Sequence, residues 1–118
     1  MDICFEGVGQ VAATFQVDDE KAVLSGMAVA LTDNGTVGLG AVGNEPCGVL
    51  LGGVRGGAAA VQIGGAARVG YSGDTAPAVG WQSLVCDGTG GVKAVTTGGL
   101  KCLVLSVDAA DKTAVIKL

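Results

Sequence analysis

The chain has 118 residues, of which 49% are hydrophobic and 22 are glycine, with a net charge of −4. That apolar composition excludes a disordered polar tail, and the length suits one domain or two very small half-domains sharing a core. The seven basic residues stand singly, without a phosphate-neutralising run, so no nucleic-acid partner is expected.

Residues 1–20 differ from the rest. Ile3 and Phe5, then Val11, Ala13, Phe15 and Val17, alternate with smaller or polar residues, which is strand period, and Asp18-Asp19-Glu20 ends the stretch. It reads as an N-terminal arm or first strand pair. Asp2 and Glu6 stand where a secretory signal needs positive charge, so the chain is not expected to be secreted.

From residue 21 the chain reads as a single all-β domain made of one unit written twice, over about 22–64 and 76–118. Residues 26–33 (GMAVALTD) lie over 80–87 (GWQSLVCD), and each Asp is followed by a glycine turn, Asn34-Gly35 or Gly88-Thr89-Gly90. Asn-Gly between apolar runs is a strong hairpin signal, because both residues tolerate φ > 0. Strands are expected next at 36–39 and 92–96, and then, after a glycine loop, at Cys47 and Cys102. In the alignment of 46–63 with 101–118, Leu50 meets Leu105, Ala59 meets Ala114 and Val61 meets Ile116. Between the copies, residues 68–71 predict a strand and Pro77 keeps its neighbourhood out of a sheet centre. The apolar region 48–67 is broken by Arg55 and glycine pairs, so it is not a membrane span.

The expected fold is therefore a small all-β sandwich or barrel of two tandem, pseudo-symmetric four-strand half-units, plus an N-terminal strand or arm. A lone four-strand unit has an apolar face that it cannot cover, and the second copy is expected to cover it. With four aromatic residues (Phe5, Phe15, Tyr71, Trp81), the core must be built from Val, Leu, Ile and Ala. Such a thin, glycine-rich core argues for further burial against copies of the chain or a partner.

Chemistry-bearing motifs are weak. Residues 38–43 match G-x-G-x-x-G, but Pro46 and an apolar strand follow where a dinucleotide site needs a helix. The chain has no His, so nucleophilic catalysis would need Ser or Thr with Lys, or a carboxylate pair, and Lys93, Lys101, Lys112 and Lys117 alternate with apolar residues and read as solvated outer faces of strands. Asp33 and Asp87 occupy equivalent turn positions and read as turn caps rather than a catalytic pair. Cys4, Cys47, Cys86 and Cys102 have no C-x-x-C spacing and read as buried free thiols, although a site of four distant cysteines is an alternative. No catalytic, cofactor-binding or metal residue is expected. Ile3, Phe5, Phe15 and Trp81 are the candidate partner-binding residues, with 1–17 expected to reach a partner by strand addition. For Trp81 a core or interface plug competes with an anchor on a partner surface.

The strings GMAVAL, PCGVLLG and AAAVQIGG, followed by GWQSLVCDGTG, KCLVL and AVIKL, resemble tailed-phage head decoration, or capsid cement, proteins. The likeness covers about 22–118 and is compositional. It implies a non-enzymatic accessory protein, made in the bacterial cytoplasm and bound to the virion surface. There such proteins often sit as trimers and clamp neighbouring copies of the major capsid protein. The other expectation is a small β-barrel module binding peptide or carbohydrate around Trp81 and Tyr71.

Overall fold

The computed structural model describes residues 8–18, 23–72 and 77–118. They form ten strands: β1 (Val11–Val17), β2 (Ala28–Asp33), β3 (Thr36–Leu39), β4 (Gly48–Arg55), β5 (Ala58–Gly64), β6 (Ala66–Gly70), β7 (Gly80–Cys86), β8 (Val92–Val95), β9 (Leu100–Asp108) and β10 (Thr113–Lys117). No helix is present among them, hence none long and apolar enough to cross a membrane. The all-β architecture expected from the period-2 patterning is what the chain adopts.

The duplication is visible in the pairing. Strands β1 to β5 close into a barrel in the order β1-β3-β2-β4-β5, and β6 to β10 form a second sheet in the order β6-β10-β9-β7-β8. Adding five to each strand number of the first gives the neighbours of the second, read round in the opposite direction: β2-β3, β2-β4, β4-β5 and β1-β5 become β7-β8, β7-β9, β9-β10 and β6-β10. Even the unusual step is repeated. Strand β1 runs parallel to β3 through Gln16↔Thr36 and Val17↔Val37, and in the second sheet a parallel bridge joins Tyr71, just past β6, to Val92 of β8. Asp18 N donates to Val37 O at 2.7 Å, and Ser72 N donates to Val92 O at 3.1 Å. A fifth strand thus completes each four-strand unit: β1, from the segment expected to be an N-terminal arm or first strand pair, and β6, which overlaps the strand expected at 68–71 between the copies.

This changes the role of residues 11–17. Their residues pair with β5 from Val11↔Gly64 to Gln16↔Ala58, and the end of the strand pairs with β3. These residues are a wall of the first barrel and cannot be lent to a partner sheet. Phe15, offered above as partner-binding, packs against the first core with Val17, Leu39, Cys47 and Val54. Its ring substitutes for aromatic bulk that the rest of this core lacks. Residues 1–7, with Ile3 and Phe5, lie outside the described residues.

The apolar side chains gather in two cores. The first holds Val23, Val29, Val37, Leu50, Ala59 and Val61, all from the first unit. The second is built from Leu84, Val92, Cys102, Val104 and Ile116 with β6 residues, and it also takes in Ala28 and Val49. These two come from the first barrel. The first unit therefore closes on itself as a barrel and presents part of its outer wall to the core of the second sheet. The cover expected between copies is one-sided, because a five-strand sheet curled into a closed barrel already has an inside of its own.

Small side chains make the close approach possible. A methyl added at Gly40 would run into Cys86 Sγ and Cβ, with Ala30 Cβ 3.4 Å away. Backbone hydrogen bonds stitch the seam: Ala28 N to Gly90 O (2.8 Å), Gly43 N to Cys86 O (3.0 Å) and Cys86 N to Asn44 O (2.7 Å). The G-x-G-x-x-G run thus leads into the seam loop between two strands, as its missing helix foretold.

A slip separates the copies at β9. Leu50 pairs with Val61 in the first unit, but Val104, not Leu105, pairs with Ile116 in the second. A register shift between Val115 and Ile116 marks a β-bulge, which leaves one residue over and turns the strand. Val104 is fully buried and takes the place of Leu50, while Leu105 is only partly buried.

Candidate functional site

Strand alternation decides what the outer wall of the second sheet displays. Across β7, β9 and β10, Trp81 is opposite Leu103, which is opposite Lys117. The neighbouring row runs Val95, Ser83, Lys101 across β8, β7 and β9. Leu84 and Cys102, offset by one residue, point the other way into the second core. Trp81 is 60% exposed, and Lys101 Nζ lies 5.9 Å from its ring centroid, within cation–π range. The chain's largest side chain is thus on an open wall, beside a partly buried leucine and framed by lysines. Tryptophan is among the side chains most enriched at the energetic centres of protein contact surfaces. The reading of Trp81 as a core plug is corrected here: 60% exposure places the indole outside its own core.

Tyr71, the other ring of the proposed concave site, is buried in the second core. It lines a cleft of about 280 Å³ with Ser25, Met27, Ser72, Asp87 and Thr89. The two rings therefore belong to different environments, one interior and one outer.

Asp87 projects into that cleft. Its Oδ1 accepts from Thr89 N and Thr89 Oγ1, both at 2.8 Å, and from Gly91 N at 3.1 Å. Partial burial pushes its carboxyl up, but these bonds and one from the Ser72 side chain outweigh it and hold the pKa below the ordinary value. Asp33 does less, accepting from Asn34 N at 2.7 Å. Both carboxylates stabilise their own turns, as the Asp-before-glycine pattern implied.

The thiols are not activated. Burial raises Cys86 to about 11, with the charge of Asp87 and the proximity of Cys47 adding to it; burial alone raises Cys102 to about 11. Cys47, half-buried, is raised by desolvation. A thiolate is the reactive form, so these side chains behave as small hydrophobes. Among the described residues no group of three or more His, Cys, Asp or Glu side chains could hold a metal ion. Cys4 lies outside them.

No protein-family model matches this chain, and no curated protein matches it. The residues alone therefore carry the functional argument.

One structural residue escaped the sequence reading. Gln62, in the apolar strand AAAVQIG, is almost fully buried, and its Nε2 donates to Gly64 O (3.0 Å) and Ala66 O (2.9 Å). It clamps the turn between the units. The break in alternation after Val61 was the available signal, but a lone amide in a strand does not say which way it points.

Two pH limits follow. The folded-state pKa of Asp87 is depressed, so its contribution is present above the ordinary carboxylate range and is lost as pH falls through the depressed value. Asp87→Ala should lower stability at pH 7 by about 1–3 kcal/mol, since it removes charge-assisted bonds to turn donors. The difference from wild type should shrink toward pH 2, read by urea titration. Cys86 and Cys102 have raised values, so their contribution is complete at neutral pH and is lost as pH climbs through about 11. A Cys86→Ala/Cys102→Ala chain should show a flatter alkaline limb.

Proposed function

We propose that this chain is a structural decoration protein that binds the outside of a phage capsid and stabilises it without chemistry. The observation that carries the reading is the placement of Trp81, exposed with Leu103 and Lys101 on the outer wall of a sheet. A wall of this kind suits a protein surface. A sugar or short-peptide site around both rings would need polar groups converging on them, whereas Trp81 lies on an outer wall and Tyr71 is buried in the second core, which favours the decoration reading. The resemblance to capsid cement proteins over about 22–118 supports the same reading and supplies the partner, the major capsid protein. An interface of standard size, about 1,600 Å² in total, bridging capsid subunits would stabilise the shell by added buried area.

The test is co-sedimentation with empty shells of a major capsid protein that lack outer accessory proteins. The chain should pellet with the shells and raise their melting temperature, and Trp81→Ala should weaken both effects. Shells that leave the chain in the supernatant and melt unchanged would remove the proposal.

A further inference from the structure

Four of the chain's seven basic side chains stand on one face of the second sheet. Lys117 shares a cross-strand row with Leu103 and Trp81, and Lys101 shares the next with Ser83. Lys93 faces Val85, two residues on from Ser83 along β7, and Arg68 faces Val115, two residues before Lys117 along β10. The two-residue period of a strand therefore puts all four on the side of Trp81. Arg68 is tied to this face by donating to Thr113 Oγ1 at 3.0 Å. Among the described residues the strands of this sheet carry one carboxylate, Asp108, and its Oδ1 accepts from Ala110 N and Asp111 N of its own turn. A cationic wall thus stands on a chain whose net charge is −4.

The cations surround the indole. In the strand order β10-β9-β7-β8, Lys117, Lys101 and Lys93 lie on β10, β9 and β8, and Trp81 lies on β7 between the last two. At about 4.8 Å per strand the three lysines span about 14 Å. Lys101 Nζ, 5.9 Å from the ring centroid, is the one against the ring itself.

We propose that the capsid surface receiving this wall is acidic: a shallow apolar seat for the Trp81 indole, rimmed by Asp or Glu side chains that meet Lys93, Lys101 and Lys117. The inference rests on the decoration reading and names the chemistry of its partner. Burying Trp81 against any protein surface draws the lysines around it out of water as well. A cation that loses water without gaining a counter-charge opposes binding, so a neutral or basic seat would reject the wall, whereas carboxylates at the lysine spacing would accept it. The rest of the chain, which holds the excess of carboxylates, is repelled by the same acidic surface, so the molecule is turned wall-first as it approaches. Trp81 is the one aromatic side chain on these strands. A single ring gives one base a platform but not a strand of bases, which sets a nucleic acid aside as the occupant.

Trp81→Ala does not test this, because it weakens uptake whatever the charge of the seat. The discriminating measurement is uptake of the chain by empty capsid shells before and after their surface carboxylates are converted to amides with a carbodiimide and glycinamide. Amidation should weaken uptake by at least about tenfold, and Lys101→Glu/Lys117→Glu should do the same on untreated shells. Lys101→Arg/Lys117→Arg, which keeps the sign, should load like the unmodified chain. So should Arg55→Glu, a change of sign at an exposed residue of β4 in the first barrel. Circular dichroism and melting curves establish that each variant is folded. Uptake that survives amidation, or a folded Lys101→Glu/Lys117→Glu chain that loads like wild type, would overturn the acidic seat and leave the decoration reading standing. Shells that never take up the unmodified chain would remove both. Trp81 is the only tryptophan, so its fluorescence also reports a rival occupant: oligothymidylate that quenches it and displaces the chain from shells would give the wall to a phosphate backbone and overturn the proposal.

Discussion

Gly48→Ala should unfold the first barrel, or destabilise it by at least about 2–3 kcal/mol, the upper range for overpacking. Gly48 opens β4, where it faces Val29 of β2, while the next residue, Val49, faces Gln62 of β5. A methyl on Gly48 would be driven into the Gln62 carbonyl oxygen and would lie 2.8 Å from Val61 Cγ1. The first obstacle is main chain and cannot rotate away, and the second is a fully buried side chain of the first core. The sheet must open at β4–β5 to admit the methyl, which also disturbs the Gln62 clamp. Gly53→Ala is the control. It lies in the same strand with nothing within 4 Å of the added carbon, so it should change stability by less than about 0.5 kcal/mol. Chemical denaturation of the two variants side by side reads the difference.

The second large effect concerns the asymmetry of the cores. Leu50 and Leu84 are both fully buried, one in each cluster. Either change to Ala should cost about 2–5 kcal/mol through lost burial and the cavity left behind. The consequences should nevertheless differ. Leu84→Ala should release amide protection in β7, β9 and β10 while β2, β4 and β5 keep theirs, because the first barrel closes on its own residues. Leu50→Ala should lower protection in both units, because Ala28 and Val49 of the first wall are part of the second interior. Native-state hydrogen exchange separates the two patterns. Equal loss of protection in both variants would show that the cores act as one.

Much of this was legible in the chain. Alternation located the strands, and the Asp-glycine turns located the hairpins, because both signals are local. The duplication was legible too, but its extent was not. The first strand of each unit contains little of the repeated wording: VAATFQV and AARVG share almost nothing beyond period, so pairing rather than sequence reveals their equivalence. Parallel contact between β1 and β3 is a long-range choice that no short window encodes. The bulge at β9 was hidden for a related reason. Leu50 and Leu105 match in an ungapped overlay, and only the partner strand shows that Val104 holds the inward position. For the site, Trp81 stood out as the one large side chain, but its direction depended on register. Phe15 misled because an aromatic in an isolated strand looks like an offered anchor until the barrel closes around it.

The one-sided cover between the barrel and the second sheet also bears on how the molecule comes into being. The half that leaves the ribosome first builds its core from its own residues, so it can curl shut while the remainder is still being made. Its finished outer wall then waits as a template, and the trailing half condenses onto it instead of searching for its own closure. Vectorial synthesis and architecture run in the same direction, so a glycine-rich chain with few large side chains is spared a long interval with its greasy surfaces unattended.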